Sequence, residues 1–281
     1  MAIGVKRPGK SRQARKGISE QEVRDVEDMS APRTPVIYEV VRRLGDDEMK
    51  RPANSLWWSG VAAGMSMSFS LLAQAALETH LPDAPWRPLV SGFGYCVGFL
   101  MAVLGSQQLF TESTITVVLP VLKNFNRATV WRMGRLWGIV LVANLAGTLF
   151  AALFCLYSPV LTHDLLAAML KTSRTLLDLS WQDMLFRAVA SGFLIAAMVW
   201  MIPSAESAKF AVVTLMTYLI AIGGFTHIVA GSVEAYMLVL SGQWQWWQMI
   251  VEFIVPVLLG NMIGGTALFA LISYAQVMEE I

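Results

Sequence analysis

Charge is scarce in this chain. Asp, Glu, Lys and Arg make up 15% of its 281 residues, against about 25% in an ordinary soluble domain. The charge that exists is bunched: of 21 Lys and Arg, 12 lie in residues 1–54. The net charge of +1 therefore averages two dissimilar regions and gives no reason to expect a nucleic-acid partner. Cysteine is almost missing as well. Cys96 and Cys155 both fall in apolar runs, without disulfide or metal-ligand spacing, and read as small hydrophobes. With three histidines and no paired His or Cys, no metal site or cofactor is expected. An enzyme would need a metal or nucleophile cluster that the sequence does not supply. A cleaved leader is not expected either, since the first apolar stretch begins near Leu56 behind a long charged segment.

What remains is hydrophobic: 56% of the chain. Residues 1–34 read as a cytoplasmic, disordered arm, basic at first and acidic later, and 35–281 as a transmembrane channel domain. Residues 35–51 hold a short amphipathic stretch in which Val36, Val40, Val41 and Leu44 can share a face, as in a helix lying on the membrane surface. A helix crossing the hydrocarbon needs about 20 apolar residues. Six candidates satisfy this, at about 56–77, 89–122, 136–157, 184–202, 210–240 and 250–274. Loop charge sets their orientation. With the N-terminus in the cytoplasm, four basic residues (Arg87, Lys171, Arg174 and Arg187) lie outside and the other seventeen inside. Both termini then face the cytoplasm of an inner-membrane protein, and Trp244, Trp246 and Trp247 fall at the outer interface.

The second and fifth spans are too long for one crossing and are interrupted. The second contains GSQQLFTEST (105–114), the fifth GGFTHIVAGS (223–232). Phe110-Thr111-Glu112 and Phe225-Thr226-His227 stand 115 residues apart. The third and sixth spans carry ANLAGT and GNMIGGT, with Asn144 and Asn261 separated by 117. Two similar offsets predict an internal repeat of three spans. Three is odd, so the second copy enters the bilayer upside down. Broken helices at matching places in inverted halves point to a midplane binding site.

A break frees backbone N–H and C=O groups that lipid cannot satisfy. The N-terminal end of a half-helix favours an anion. His227 sits at the second break, where it can donate a hydrogen bond to an anion or a proton to a weak acid. Thr111 can bond the histidine, the anion or its own helix backbone. Glu112 would repel an anion in the pore, so it is expected to face away and cap the restarting helix. Lys209 marks the cytoplasmic entry of the fifth span or snorkels to the interface. The series Gly60/Gly64/Ser68, Ala188/Gly192/Ala196 and Gly260/Gly264 place small residues on single faces for close packing.

LFTEST after a glycine-containing helix, GFTHIV in the fifth span and GNMIGG in the sixth together resemble the formate/nitrite transporter family, over roughly residues 35–276. The resemblance implies an all-α, aquaporin-like fold of inverted three-helix repeats. It also implies a homopentamer in the lipid bilayer with a pore in each protomer, and small monovalent anions such as formate, nitrite, hydrosulfide or short carboxylates as substrates. It carries the central histidine to His227 and the loop threonine to Thr111, with Leu109 and Phe110 in the same loop. Tyr95, Phe99, Ile195 and Ile220 go to the apolar constrictions, and Asn261 is the asparagine of the sixth helix. Thr226 stands where the family carries Glu, Gly192 where it carries Asn, and Gln107-Gln108 where it often carries Gly-Ala-Glu. Arg174 lies near the place of the outer-vestibule lysine. Three other readings are a channel for small neutral solutes, against which the missing twin Asn-Pro-Ala loops argue, a membrane enzyme, and a protein of this fold that does not transport.

Overall fold

A computed structural model describes residues 19, 21–22 and 32–280. The disorder expected for the basic arm falls outside the described residues. Within the arm, Ser19 and Glu22 exchange hydrogen bonds at 2.6 and 3.2 Å.

The body begins with α1 (Thr34–Lys50). The first span is α2 (Ala53–His80). The second is broken into α3 (Arg87–Leu104), α4 (Phe110–Thr116) and α5 (Val118–Lys123). The third is α6 (Arg127–Tyr157), followed by a connecting helix α7 (His163–Ser173). The fourth is α8 (Trp181–Met201). The fifth is again two pieces, α9 (Lys209–Ile222) and α10 (Ile228–Leu240). The sixth is α11 (Trp246–Val277), which contains two stretches of wider π-type turns. Among the described residues, five helices, α3 included, are long and apolar enough to cross a bilayer, while α9 and α10 share a crossing.

Local sequence explains the ends. Asn126 caps α6 by accepting the Thr129 N–H at 3.0 Å, so that helix starts nine residues before the apolar run does. Ser180 and Asp183 form a capping box at α8. Small residues then set the packing. A methyl group at Gly64 would come 2.2 Å from the Asn144 carbonyl oxygen on α6. One at Gly192 would come 2.4 Å from the Asn261 carbonyl oxygen on α11. The first and fourth spans thus press the third and sixth in the same way, backbone against side-chain-free backbone.

Two expectations shift. On α1 the buried stripe is Tyr38, Val41, Gly45 and Met49, while Val36, Val40 and Leu44 are exposed. The helix is turned so that Gly45 lies directly on the Thr116 carbonyl at the end of α4. Trp244 is buried and donates to Glu252 at 3.4 Å, leaving Trp246 and Trp247 exposed.

Candidate functional site

Both interruptions are built alike, residue by residue. Each preceding helix closes with a wide turn. The Gln107 N–H donates to the Ala102 carbonyl at 2.9 Å, and the Phe225 N–H to Ile220 at 3.0 Å. The residue just before is left-handed in both, Ser106 at φ 51° and Gly224 at φ 60°. The chain then runs extended through Leu109 in one break and His227 in the other before the half-helices begin. This geometry pairs Leu109 with His227 and Phe110 with Ile228. The Phe-Thr strings are therefore not equivalent: the register is three residues away from the one they suggest.

The asparagines complete the match. Asn144 Oδ1 accepts the Phe110 N–H at 2.9 Å, and Nδ2 donates to the carbonyls of Gln108 (2.9 Å) and Gly60 (2.8 Å). Asn261 Oδ1 accepts the Ile228 N–H at 2.9 Å, and Nδ2 donates to the Ala188 carbonyl and Ser191 Oγ, both at 2.8 Å. Each amide thereby supplies the partners that a break in lipid would otherwise leave missing. Asn144 and Asn261 are fully buried and border neither cavity described below, so they hold the passage open in shape rather than line it. The first amide of each half-helix is thereby already taken and is not free for an anion.

The breaks meet at one contact. Thr111 Oγ1 lies 2.8 Å from His227 Nε2. His227 Nδ1 accepts the Ala230 N–H at 3.2 Å and caps α10. An accepting Nδ1 assigns the imidazole proton to Nε2, which donates to Thr111. The Thr111 hydroxyl hydrogen is then free to donate to something else. The Phe99 ring meets the imidazole edge-on, with centroids 5.0 Å apart. Thr111, Phe99, Leu109 and Ile195 are fully buried and line neither of the two cavities that flank the breaks. Phe110 faces Trp137 on α6 at 6.0 Å and packs its half-helix against the third span.

On the face bearing α7, a cavity of about 260 Å³ is lined by Tyr95, Arg187, Ile220, Thr226, His227 and Glu234, among others. On the face bearing α1, a cavity of about 550 Å³ is lined by Glu48, Arg51, Gln108, Glu112 and Lys209, among others. Lys209 Nζ donates to the Val103 carbonyl at 3.3 Å. Glu112 does not cap α4: it lines this second cavity, and its Oε1 has no hydrogen-bond partner. The α1 helix reaches the break here. Glu48 accepts Thr116 Oγ1 at 2.5 Å and Gln108 Nε2 at 3.1 Å, and Arg51 donates to Gln108 Oε1 at 2.7 Å.

Three positions differ from expectation. Gly192 presses on α11 and offers no place for a side chain. The polar group beside Thr226 is Ser191, whose Oγ donates to the Thr226 carbonyl at 2.5 Å. Thr226 Oγ1 donates to the Met184 carbonyl at 2.8 Å. Arg174 bonds Gln243 at 2.6 Å and does not line the cavity; the cation that does is Arg187, which donates to the Gly224 carbonyl at 3.1 Å. Arg187 carries no motif and enters the sequence argument only as a loop charge. Glu234 is hidden inside an apolar helix, although an ionisable residue within a span is itself a signal.

Two matching helix breaks, each clamped by an asparagine and joined between opposed cavities, define a multi-pass membrane transport protein made of inverted halves. The family model described as "Formate/nitrite transporter" matches residues 35–275, and the chain belongs to that family. It is similar to "Inner membrane protein YfdC" of Escherichia coli (strain K12), with 42% identity over 90% of this chain and 82% of the relative. It is also similar to "Formate channel FocA" of Haemophilus influenzae (strain ATCC 51907 / DSM 11121 / KW20 / Rd), with 27% identity over 77% and 84%. Among solved structures it shares the fold of a "Pentameric formate channel with formate bound" (TM-score 0.68, 20% identity, 81% of this chain and 98% of that one). An "FNT family ion channel" gives a TM-score of 0.72 at 19% identity, over 86% and 98%. Family and neighbours are transporters and channels, and the aquaporin-like arrangement of six spans is theirs as well.

Proposed function

We propose that the chain conducts small monovalent anions, or the weak acids they form, across an inner membrane. Formate and nitrite are the reference substrates. Each protomer of a homopentamer carries its own passage, and the α1 face and both termini lie in the cytoplasm. The observation that carries this reading is the Thr111–His227 contact, which sits between two cavities at the meeting of both breaks. Arg187 draws an anion into the outer cavity, where its guanidinium has donors beyond the one given to Gly224. The substrate then meets a constriction of Phe99, Leu109, Ile195 and Ile220. There the His227 Nε2–H and the Thr111 hydroxyl are the polar groups placed to receive it, and they exchange their mutual bond for bonds to substrate oxygen. Apolar walls reject hydrated cations, and the narrow polar step passes one small oxyanion at a time.

The test is flux into proteoliposomes for formate, nitrite, hydrosulfide and acetate over a pH series. Uptake is expected to rise on the acidic side. His227→Asn keeps an N-cap acceptor for α10 but cannot reach Thr111, so it should lower uptake while leaving the protein folded. Uptake equal to wild type in that variant would remove His227 from the mechanism.

A further inference from the structure

We infer that Glu234 is the group that hands a proton to the anion in the outer cavity, a step that rests on the anion-transport reading above. His227, Gly231 and Glu234 follow one another on a single face of α10 at helical spacing, and all three line the 260 Å³ cavity. Every other residue from Thr226 to Val239 is buried; Glu234 alone is half-buried. Among the described residues its carboxyl has neither a hydrogen-bond nor an ion-pair partner. The cavity's cation, Arg187, donates to the Gly224 carbonyl and makes no ion pair with Glu234.

The histidine cannot take this role in the state seen. Its Nδ1 has no proton and holds the Ala230 N–H, and its Nε2–H belongs to the Thr111 contact. Giving up that proton would leave an imidazolate. Carrying a bare anion through a wall of Phe99, Leu109, Ile195 and Ile220 is costly. A carboxyl without a partner next to the entrance removes that cost. The carboxylic acid of Glu234 transfers its O–H proton to a carboxylate oxygen of the substrate. The O–H bond of Glu234 breaks, the O–H bond of the neutral acid forms, and Glu234 becomes a carboxylate. Water on the outer side returns a proton to it. One proton and one anion cross together, and no net charge moves.

The titratable groups facing Glu234 are few. Tyr95 on α3, Arg187 on α8 and His227 share the cavity. Glu78 on α2 receives Ser91 and Thr172, and Glu252 on α11 receives Trp244. Arg174, after α7, is held by Gln243, and Lys171 and Asp178 are exposed and do not line the cavity. None of them is paired with the Glu234 carboxyl.

The full chain in proteoliposomes with an internal pH dye tests this, using labelled formate, nitrite and acetate. Glu234→Gln keeps shape and polarity but has no proton to give. It is expected to lose the rise of uptake on acidification, on the order of a hundredfold by the usual scale of general-acid effects. The alkalinity-sensitive dye should no longer report a proton entering with each anion. Glu234→Asp retains an ionisable carboxyl and should recover both signals at a reduced rate. A Glu234→Gln protein with wild-type pH response and wild-type proton entry overturns the role of Glu234 alone. So does a monodisperse Glu234→Asp protein that recovers neither signal. Wild-type liposomes that pass none of the three acids overturn the transport reading and this step with it.

Discussion

Replacing Asn261 with alanine isolates what it takes to keep a helix broken inside a bilayer. Three strong bonds disappear, to the Ile228 N–H and from Nδ2 to the Ala188 carbonyl and Ser191 Oγ. They are not equal. The Thr226 carbonyl keeps its bond from Ser191 Oγ, whose single hydrogen is the one alternative donor within reach of the Ala188 carbonyl. The Ile228 N–H has no substitute, and a buried donor left alone costs about 1–3 kcal/mol. Adding about 1 kcal/mol for each of the two lost donated bonds gives roughly 3–5 kcal/mol. On the scale of a domain of 150–250 residues, that lowers Tm by roughly 6–20 °C. Thr148→Ala is the control: it removes a hydroxyl that bonds Ser232, but Ser232 keeps the Val229 carbonyl, so the expected cost is below about 1 kcal/mol. Thermal unfolding of both variants in detergent, followed by tryptophan fluorescence, compares them directly. Equal shifts for Asn261→Ala and Thr148→Ala would refute the clamp.

Two further outcomes follow from the packing and from α1. Gly192→Ala drives a methyl group into the Asn261 backbone, which cannot yield, whereas Gly138 has nothing within 4 Å of the same added atom. Gly192→Ala should abolish monodisperse protein on size exclusion while Gly138→Ala leaves it unchanged or slightly more stable; matching profiles would contradict the close approach. Burial pushes the Glu48 carboxyl up from its ordinary value, opposed by its bonds to Thr116 and Gln108 and by Arg51. A carboxyl raised in the folded state stabilises docking below its unfolded value, and that contribution is lost as pH rises through the folded one. Limited proteolysis at α1 should therefore increase from acid toward neutral pH, and Glu48→Gln should remove the dependence. An unchanged dependence in the variant would show that another group titrates.

The class of fold was legible because its causes are compositional and periodic. Apolar runs of bilayer length, glycines where helices stop, and asparagines at nearly constant offset all follow from backbone groups that lipid cannot satisfy. Read without a gap from Gly105 against Gly223, the two interrupting strings even contain the true register. The eye is drawn instead to the shared Phe-Thr, a similarity of side chains where the equivalence is one of backbone. The same cause hid Ser191, since its role depends on Gly192 leaving α11 close enough for Asn261 to reach it. Glu234 and Arg187 were hidden for a different reason. Neither belongs to a repeated string, and only the folded chain brings the tip of α8 beside the middle of α10.

The two halves agree where physics is the same for both and differ where it cannot be. A broken helix needs a turn, a clamp and a close neighbour whichever way it enters the membrane. Ser106 and Gly224, Asn144 and Asn261, Gly64 and Gly192 accordingly recur in pairs. A hydrogen bond across the centre, however, needs one donor and one acceptor. His227 stands opposite Leu109 in the repeat, so the imidazole has no twin. Its partner, Thr111, corresponds in turn to Val229, which leaves a single polar contact inside an apolar ring. Two histidines would each need an acceptor that the other could not provide without changing tautomer, and two leucines would leave nothing for an oxyanion to touch. The same division extends outward. Glu234 opens to one cavity at the place that Thr116 occupies under α1, where Glu48 comes from outside the repeat to meet it. A passage with different groups on its two faces can load a proton on one side and be latched from the other, which two identical halves could not do.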